Sequence, residues 1–285
     1  MLKRDIISAV LIDSDEDDDQ ELVFHVNKPR KTRQEKPTKT QDQQEEEKPT
    51  KPKRKRTVNQ TELNKYFTEN SDVIEIGIDE VGRGPLFGRV YASAVVLPKT
   101  DDFKHCDMKD SKKFHSKSKI ESTAEYIKQN AIAWSICYED ENTIDRINIL
   151  QATQSAMHNC ITNIIIQLKE INSELDMKKI ILLIDGNYFK PFTYFNQHTN
   201  KFETITYHLI EQGDNKFTSI AAASILAKVE RDKYIDELCE QYPELSEKYK
   251  INTNKGYGSK QHLDGIRTHG ITQWHRKTFG ICKNY

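Results

Sequence analysis

The sequence predicts an α/β protein in which a mixed β-sheet is flanked by helices and followed by a helical carboxyl-terminal end. Two strand-like apolar runs near residues 77 and 93 are joined by only a short turn, and neighbours of this kind pair antiparallel. Later apolar runs are separated by long helical stretches, which is the arrangement of parallel strands. The two kinds of connection together predict a mixed sheet.

The chain changes character near residue 70. Residues 26–60 contain almost no apolar side chains and are rich in Lys, Arg, Glu, Gln, Thr and Pro. A segment of this composition cannot bury enough apolar surface to offset the entropy lost on ordering it. We therefore expect two parts, a disordered charged extension over residues 1–70 and a folded domain over residues 71–285.

Strand and helix patterns alternate through the folded part. In chain order, we expect strands over 73–81, 89–98, 131–140, 178–186 and 201–214, and helices over 116–130, 143–171 and 216–242. The run KKIILLIDG (178–186) is continuously apolar, which is typical of a strand buried on both faces. The last helix contains SIAAAS, a run of small residues that predicts close packing. The chain after residue 242 mixes helix and loop.

Composition argues against several classes of protein. The net charge is −1 at pH 7, so the chain as a whole has no excess of basic residues. Five cysteines are scattered singly without a CxxC pair, which argues against a zinc cluster or a disulfide framework. No apolar run approaches the roughly 18 residues of a membrane span, and no signal-peptide pattern is found. We expect an intracellular, soluble, monomeric protein.

Acidic residues close three of the predicted strands: Asp79 and Glu80 together, Asp185, and Asp214. Functional groups gather at strand ends in α/β sheets, where four carboxylates would repel one another unless they held cations. Oxygen ligands select hard ions such as Mg²⁺ or Mn²⁺, and a pair of such ions supports in-line attack of water on a phosphodiester. Each of these acids alone could instead cap a helix or face solvent. The adjacent pair Asp79 and Glu80 argues against this alternative, because one acid would be enough for a cap.

The glycine-rich segment GRGPLFG (82–88) follows the first acids. A dinucleotide-binding loop is one alternative, but that fingerprint opens a helix. Here the β-favouring run RVYASAVV follows, and Pro85 lies inside the segment. Bare backbone would instead allow a nucleic-acid strand to approach the N–H groups closely.

Longer strings extend this pattern along the chain. They are GIDEVGRGP, MKDSKKF, LLIDGN, GDNKFTSIAAASILAKVERD and KGYGSKQHLDGIRTHGITQWHRKTFG. In this order, from about residue 74 to about residue 281, they resemble the type 2 ribonuclease H family (ribonuclease HII). The continuous layout is similar to the single-chain bacterial form. The stretch between LLIDGN and GD is longer than that form predicts.

The resemblance implies an RNase H-like fold with a carboxyl-terminal helical extension. It implies Mg²⁺-dependent hydrolysis, with Mn²⁺ as an alternative, on the 5′ side of ribonucleotides in RNA–DNA hybrids and at single ribonucleotides embedded in duplex DNA. The products would be 5′-phosphomonoesters, and the roles would be ribonucleotide removal and RNA primer removal.

The same resemblance implies roles for individual residues. The metal ligands would be Asp79, Glu80, Asp185 and Asp214, with Asp79 shared by two ions. The substrate-binding residues would be Gly82, Arg83 and Gly84 at the ribose 2′-hydroxyl, Tyr257 against the next sugar, and Lys112 and Lys113 near phosphates. Taken alone, Tyr257 would more often be a packing aromatic, and the two lysines would be solvated surface.

The segment before the first strand contains QTELNKYF (60–67), which fits the pattern Q-x-x-L-x-x-Y-F of sliding-clamp ligands. Its clamp-binding residues would be Gln60, Leu63, Tyr66 and Phe67, whose apolar side chains would enter a groove. The alternative is that these residues form the first helix of the folded core.

Two further motifs precede it. KPKRKR (51–56) could be a nuclear import signal or a nucleic-acid patch, and AVLIDSDEDDD (9–19) resembles a SUMO-interacting motif or is an ordinary acidic tail. Together they suggest a nuclear or viral replication setting, with the cytoplasm as the alternative.

Two other functions remain open from sequence. A different metal nuclease or an integrase-like enzyme could use four carboxylates on the same fold, but it would leave GRGP and KGYG without a role. A catalytically silent clamp-binding scaffold would not need intact acids.

Overall fold

The computed structural model describes residues 62–100 and 102–285. The strands are β1 (Ile74–Val81), β2 (Val90–Val96), β3 (Ala133–Glu139), β4 (Ile180–Asp185), β5 (Thr193–Asn196), β6 (Lys201–Thr204) and β7 (Thr206–Ile210). The α-helices are α1 (Lys117–Asn130), α2 (Glu141–Ile171), α3 (Thr218–Gln241), α4 (Pro243–Tyr249), α5 (Ile251–Asn254) and α6 (Lys260–His269).

Five of the strands form a mixed sheet in the order β3-β2-β1-β4-β7. The strands β1, β2 and β3 pair antiparallel, whereas β4 pairs parallel with both β1 and β7. Ile78 lies opposite Ile184, so the next residue of β1 and of β4 reaches the same edge of the sheet. The mixed sheet predicted from the connection lengths is confirmed.

Helices cover both faces of this sheet. Buried Ile161 and Ile164 of α2 pack on one face with residues of β1 and β4, while α1 and α3 cover the other. The small residues of α3 let it approach β1 closely: a Cβ added at Gly77 would lie 2.3 Å from the Ser219 carbonyl carbon. A larger side chain at Gly77 would therefore separate α3 from the sheet.

Helix α2 has a kink at Asn148, whose φ of 64° is left-handed. The Asn148 side chain accepts a hydrogen bond from the Gln151 N–H at 3.0 Å, as a cap does at the start of a helix. Asp140 caps the true start of the helix by accepting from the Thr143 N–H at 2.7 Å. The helix therefore begins two residues before the predicted residue 143.

The single strand predicted over 201–214 is wrong, because the structure divides this region into two strands in different sheets. β6 pairs antiparallel with β5 in a separate hairpin, and β7 joins the main sheet. Buried Ile205 separates them, and its N–H donates to the Phe192 carbonyl at 3.1 Å. The hairpin accommodates the extra length between LLIDGN and GD. The apolar alternation continues through Ile205, so the pattern alone did not reveal the break.

Of the carboxyl-terminal helices, α4 and α5 pack against α3, and α6 packs against α4. A third apolar cluster holds them, and its buried members include Phe87, Ile235, Leu245, Tyr249 and Ile266. Because Phe87 comes from the segment after β1, this extension contacts the glycine-rich loop directly.

Residues 62–70 belong to the folded unit, so the predicted boundary at residue 70 lies too late. The Asn64 N–H donates to the Lys216 carbonyl at 2.8 Å, and the Thr218 N–H donates back to the Asn64 carbonyl at 3.0 Å. The N–H groups of Phe67 and Thr68 both donate to the Glu75 carboxylate at 2.9 Å. These bonds join the segment to α3 and β1.

The aromatic residues of the predicted clamp motif also contact this unit. The Tyr66 ring meets the His105 ring edge-on at 5.5 Å, and the Phe67 ring lies 4.5 Å from that of His208. Leu63 packs on the apolar cluster of α1 and α3. The structure thus favours the alternative in which these residues begin the folded core, in extended form rather than as a helix.

Gln60 and the motifs at 9–19 and 51–56 lie outside the described residues, as does the segment predicted to be disordered up to residue 61. All five cysteines are free thiols. Within 62–100 and 102–285, none of the helices combines the length and apolar character of a membrane span.

We predict that replacing both Tyr66 and Phe67 by Ala lowers the melting temperature by roughly 3–8 °C, because both rings lose packing contacts with the folded unit. Thermal unfolding followed by circular dichroism measures this. Phe202→Ala is the matched control, since that ring is 67% exposed on the hairpin and its loss should change the melting temperature by about 1 °C or less. An unchanged melting temperature in the double variant would mean that the segment does not stabilise the fold.

Candidate active site

The four predicted acids lie at the carboxyl-terminal edge of the parallel part of the sheet. Asp79 and Glu80 stand near the end of β1, and Asp185 is the last residue of β4. Asp214 lies in a 3₁₀ turn, Gly213–Asn215, that follows β7. Parallel strands end at one edge of a sheet, and this brings together acids that are 135 residues apart in sequence.

Burial and mutual repulsion dominate the electrostatics of this edge. Burial raises the pKa of Asp79 well above its ordinary value, and the neighbouring Glu80 and Asp185 carboxylates raise it further. Burial also raises the pKa of Glu80, although the Arg83 guanidinium opposes this shift. Asp214 shows the same direction, because burial, Asp110 and Asp185 all raise its pKa. The site therefore favours binding of positive charge.

Each carboxylate is oriented by a neighbour. Asp79 accepts from the Glu80 N–H at 2.7 Å, and Asp185 accepts from the Gly213 N–H at 2.6 Å. The Glu80 carboxylate lies 3.3 Å from the Arg83 guanidinium. The bond from the Gly213 N–H to Asp185 joins the end of β4 to the turn that contains Asp214.

In the part of the chain that the structure describes, no three His, Cys, Asp or Glu side chains are grouped closely enough to form a ready-made metal cage. The donor set nevertheless fits a hard divalent cation, because it offers carboxylate oxygens alone and their repulsion needs a counter-charge.

Three residues that were not singled out from sequence complete the site. Buried Asp110 accepts from the Asn215 side chain at 3.4 Å, and Asn215 donates to Asp214 at 3.0 Å. Ser224 of α3 hydrogen-bonds the Asp79 carboxylate and lies 3.0 Å from the Ser111 hydroxyl. Asp110 and Ser224 occur in the strings MKDSKKF and SIAAASILA, but nothing in either string distinguishes them from packing residues.

The two predicted lysines lie beside Asp214. Lys112 Nζ is 4.0 Å from the Asp214 carboxylate, and Lys113 donates to the Asn215 side chain. Burial lowers the pKa of Lys112, but the carboxylates of Asp110 and Asp214 outweigh this and raise it. Lys112 is therefore a stable cation at the rim of the site.

The glycine-rich loop and the predicted tyrosine also meet here. Gly82 has a φ of +93°, and a Cβ at this position would lie 2.4 Å from Arg231 Nε, so only glycine fits. A Cβ at Gly84 would lie 3.6 Å from the Tyr257 ring, which is 48% exposed. The Leu86 N–H donates to the Gly256 carbonyl at 2.9 Å and joins the two segments.

Solved structures with the same architecture support this description of the fold. A PCNA–RNase HII complex from Archaeoglobus fulgidus is 22% identical, with a TM-score of 0.53 over 73% of this chain and 96% of the solved one. Ribonuclease H2 from Pyrococcus horikoshii is 19% identical, with the same TM-score over 74% and 96%. At this identity the likeness establishes the RNase H-like fold that was expected.

Sequence relatives are much closer. Ribonuclease HII of Parabacteroides distasonis is 43% identical over 73% of this chain and 90% of its own length. Ribonuclease HII of Bacteroides thetaiotaomicron is 42% identical over 74% and 92%. These relatives are bacterial and give no support to the nuclear or viral setting.

The family model of ribonuclease HII matches residues 76–282, which includes all four acids, the glycine-rich loop and Tyr257. The integrase-like alternative is thereby set aside. The chain belongs to the ribonuclease HII family, and it is a type 2 ribonuclease H, an endonuclease of a family that depends on divalent metal.

Proposed function

We propose that this ribonuclease HII hydrolyses the phosphodiester on the 5′ side of ribonucleotides, both in RNA–DNA hybrids and at single ribonucleotides embedded in duplex DNA. One juxtaposition carries the proposal: the adjacent acids Asp79 and Glu80 near the end of β1 lie only three residues before the exposed residues Arg83 and Gly84, and the Tyr257 ring lies beside Gly84. Groups for hydrolysis and groups for reading a sugar thus lie next to each other.

Asp79, Glu80, Asp185 and Asp214 would hold two divalent cations, with Asp79 shared. When bound, Mg²⁺ or Mn²⁺ would supply an activated water and charge stabilisation at the leaving oxygen. A ribonuclease HIII of the same fold has been solved with Mn²⁺. The protein's contribution is to orient these carboxylates through the Glu80 and Gly213 N–H groups, and to keep Asp79 away from water so that its charge acts strongly.

Substrate recognition would rest on the loop and Tyr257. The N–H groups of Arg83 and Gly84 would donate to the 2′-hydroxyl, the group that distinguishes RNA from DNA. The Tyr257 ring would stack on the following sugar and thereby sense an RNA-to-DNA step. Lys112 and Lys113, one beside Asp214 and one on Asn215, would face phosphates. Removal of RNA primers and of misincorporated ribonucleotides is the corresponding role.

Clamp binding through Gln60, Leu63, Tyr66 and Phe67 is a further part of the proposal. An archaeal ribonuclease HII has been solved in complex with PCNA. In this chain, three of the four residues contact the folded unit, so clamp binding would require residues 62–70 to leave their site. The intracellular location and the monomeric state expected from sequence stay predictions.

We predict that Asp185→Asn reduces cleavage to background while the fold is retained, since it removes a metal ligand but keeps the shape of the side chain. The substrate is a labelled DNA duplex with one embedded ribonucleotide, incubated with and without Mg²⁺. Asp176→Asn, at the cap of the short 3₁₀ helix that precedes β4, is the control and should retain activity. Full activity of Asp185→Asn would contradict the metal-site assignment, and a wild-type chain that left this duplex intact would contradict the substrate.

We predict that Mg²⁺ raises the melting temperature more at neutral pH than in acid. The raised pKa of Asp79 makes its charged form unfavourable in the folded state, so without metal the free energy of unfolding falls as pH rises above the ordinary value of 3.8 and through the raised pKa. Bound metal removes this penalty. Melting curves in EDTA and in Mg²⁺ across this pH range measure the effect, and Asp79→Asn should reduce it. A Mg²⁺ effect independent of pH would contradict the prediction.

We predict that Tyr257→Ala impairs cleavage at a single embedded ribonucleotide more than cleavage of a long RNA–DNA hybrid, by about tenfold, because only the former depends on one RNA–DNA step. Tyr257→Phe keeps the ring and should behave like the wild type. The measurement is kcat/KM on two duplexes of equal sequence. Equal losses on both would indicate that Tyr257 only packs.

A further inference from the structure

Two arginines are completely buried behind the glycine-rich loop. Arg231 of α3 and Arg276 near the carboxyl terminus are 1% and 0% exposed, and among the described residues neither forms an ion pair within 4.0 Å. Burial and the nearby Arg231 cation lower the pKa of Arg276 to about 9, which still leaves it protonated at neutral pH. Buried cations of this kind need other partners.

The hydrogen-bond acceptors of Arg276 are all backbone carbonyls of residues 82–89. They are Gly88 O at 2.8 Å from Nε, Arg83 O at 3.0 Å and Pro85 O at 2.9 Å from Nη1, and Gly82 O at 2.6 Å and Arg89 O at 3.2 Å from Nη2. A guanidinium has five N–H donors, and here five carbonyls accept from them. A lysine has only three donors at one point and cannot reproduce this fork.

This arrangement determines where the loop's N–H groups point. In a planar trans peptide, the C=O of one residue and the N–H of the next point in opposite directions. Since the Gly82 and Arg83 carbonyls face the buried Arg276, the N–H groups of Arg83 and Gly84 face away from it. Both residues are exposed, and neither N–H has an acceptor within the described residues.

His275, the residue before Arg276, is connected to Tyr257 by a series of hydrogen bonds. His275 Nδ1 accepts from the Thr272 N–H at 2.9 Å, so the proton of the neutral ring lies on Nε2. That atom lies 3.1 Å from His262 Nε2, and His262 Nδ1 lies 2.9 Å from the Tyr257 carbonyl. A backbone N–H only donates and a carbonyl only accepts. The Thr272 N–H at one end and the Tyr257 carbonyl at the other therefore determine the direction of every hydrogen bond in this series.

Both histidines are 0% exposed, and burial lowers the pKa of each, that of His275 to about 3. They are therefore neutral at working pH and form a rigid connection rather than a switch. The bridge between Phe87 and His275, together with the bond from Arg276 N–H to Leu86 O at 2.9 Å, places this pair of residues against the loop.

We propose that the buried pair His275–Arg276 is the positioning element for ribonucleotide recognition: Arg276 aims the Arg83 and Gly84 N–H groups at the 2′-hydroxyl, and His275, through His262, holds the Tyr257 backbone. Neither residue touches substrate. The inference rests on the proposed function, because it assigns what orients the surface that would read the ribose.

The test measures binding rather than turnover, with the full chain carrying Asp185→Asn so that the substrate stays intact. Affinity is measured for a duplex with one ribonucleotide and for the all-DNA duplex of the same sequence, and their ratio is the ribonucleotide preference. Adding Arg276→Lys should lower this preference by about tenfold while the all-DNA affinity stays unchanged. The matched control is Arg267→Lys, an exposed arginine paired with Asp264, which should keep the preference.

A second variant covers the possibility that Arg276→Lys does not fold. His262→Phe keeps an aromatic ring but removes the hydrogen bonds that connect His275 to the Tyr257 carbonyl. In the otherwise wild-type enzyme it should reduce kcat/KM at single ribonucleotides more than on a long hybrid. His269→Phe on the same helix, an exposed histidine, is its control. Circular dichroism and the melting temperature establish that each variant is folded.

The outcomes separate the two proposals. If the Asp185→Asn chain itself does not prefer the ribonucleotide duplex, the proposed recognition surface is wrong. If that preference exists but survives Arg276→Lys in a folded protein, the positioning role of Arg276 is wrong. Equal effects of His262→Phe on both substrates would overturn the His275 part.

Discussion

The repulsion among buried carboxylates at the end of β1 is the constraint on which the rest of this structure depends. Asp79 is kept from water beside Glu80 and Asp185, so its charged form is costly in the absence of a cation. A protein under selection for stability alone would replace one of these acids. Their presence together at the ends of β1 and β4 is what the proposed metal site requires, in agreement with the family to which the chain belongs.

The scaffold places these acids through the parallel pairing of β1 with β4 and of β4 with β7. Parallel strands end at the same edge, and a tight turn after β7 then carries Asp214 to that edge. Helix α3 supports the arrangement from one face, because Gly77 and the small residues of the helix allow close packing and bring Ser224 to Asp79. Helix α3 thus both packs on the sheet and supplies a hydrogen-bond partner for a carboxylate of the site.

The carboxyl-terminal extension has a second task besides covering apolar surface. Its helices enclose Arg231 and Arg276, whose donors bind carbonyls in place of acidic side chains. Backbone carbonyls that bind a buried cation leave the opposite N–H groups free, as the proposed recognition of a ribose by main chain requires. In this way a buried charge orders a loop that has few side chains of its own.

The sequence by itself determined the family, the order of β1 to β4 and of the helices α1 to α3, the mixed sheet, and the four acids that we propose as metal ligands. It could do so because apolar runs ending in acids, and long strings such as GDNKFTSIAAASILAKVERD, are local in the chain. Only the tertiary structure decided features that depend on distant contacts. The strand predicted over 201–214 divides at Ile205 because buried Phe192 binds it there, and residues 62–70 join the core because Glu75 and Lys216 accept their N–H groups. The string that contains Arg276 gave no indication of its role, since its partners lie about 190 residues earlier and meet it only after folding.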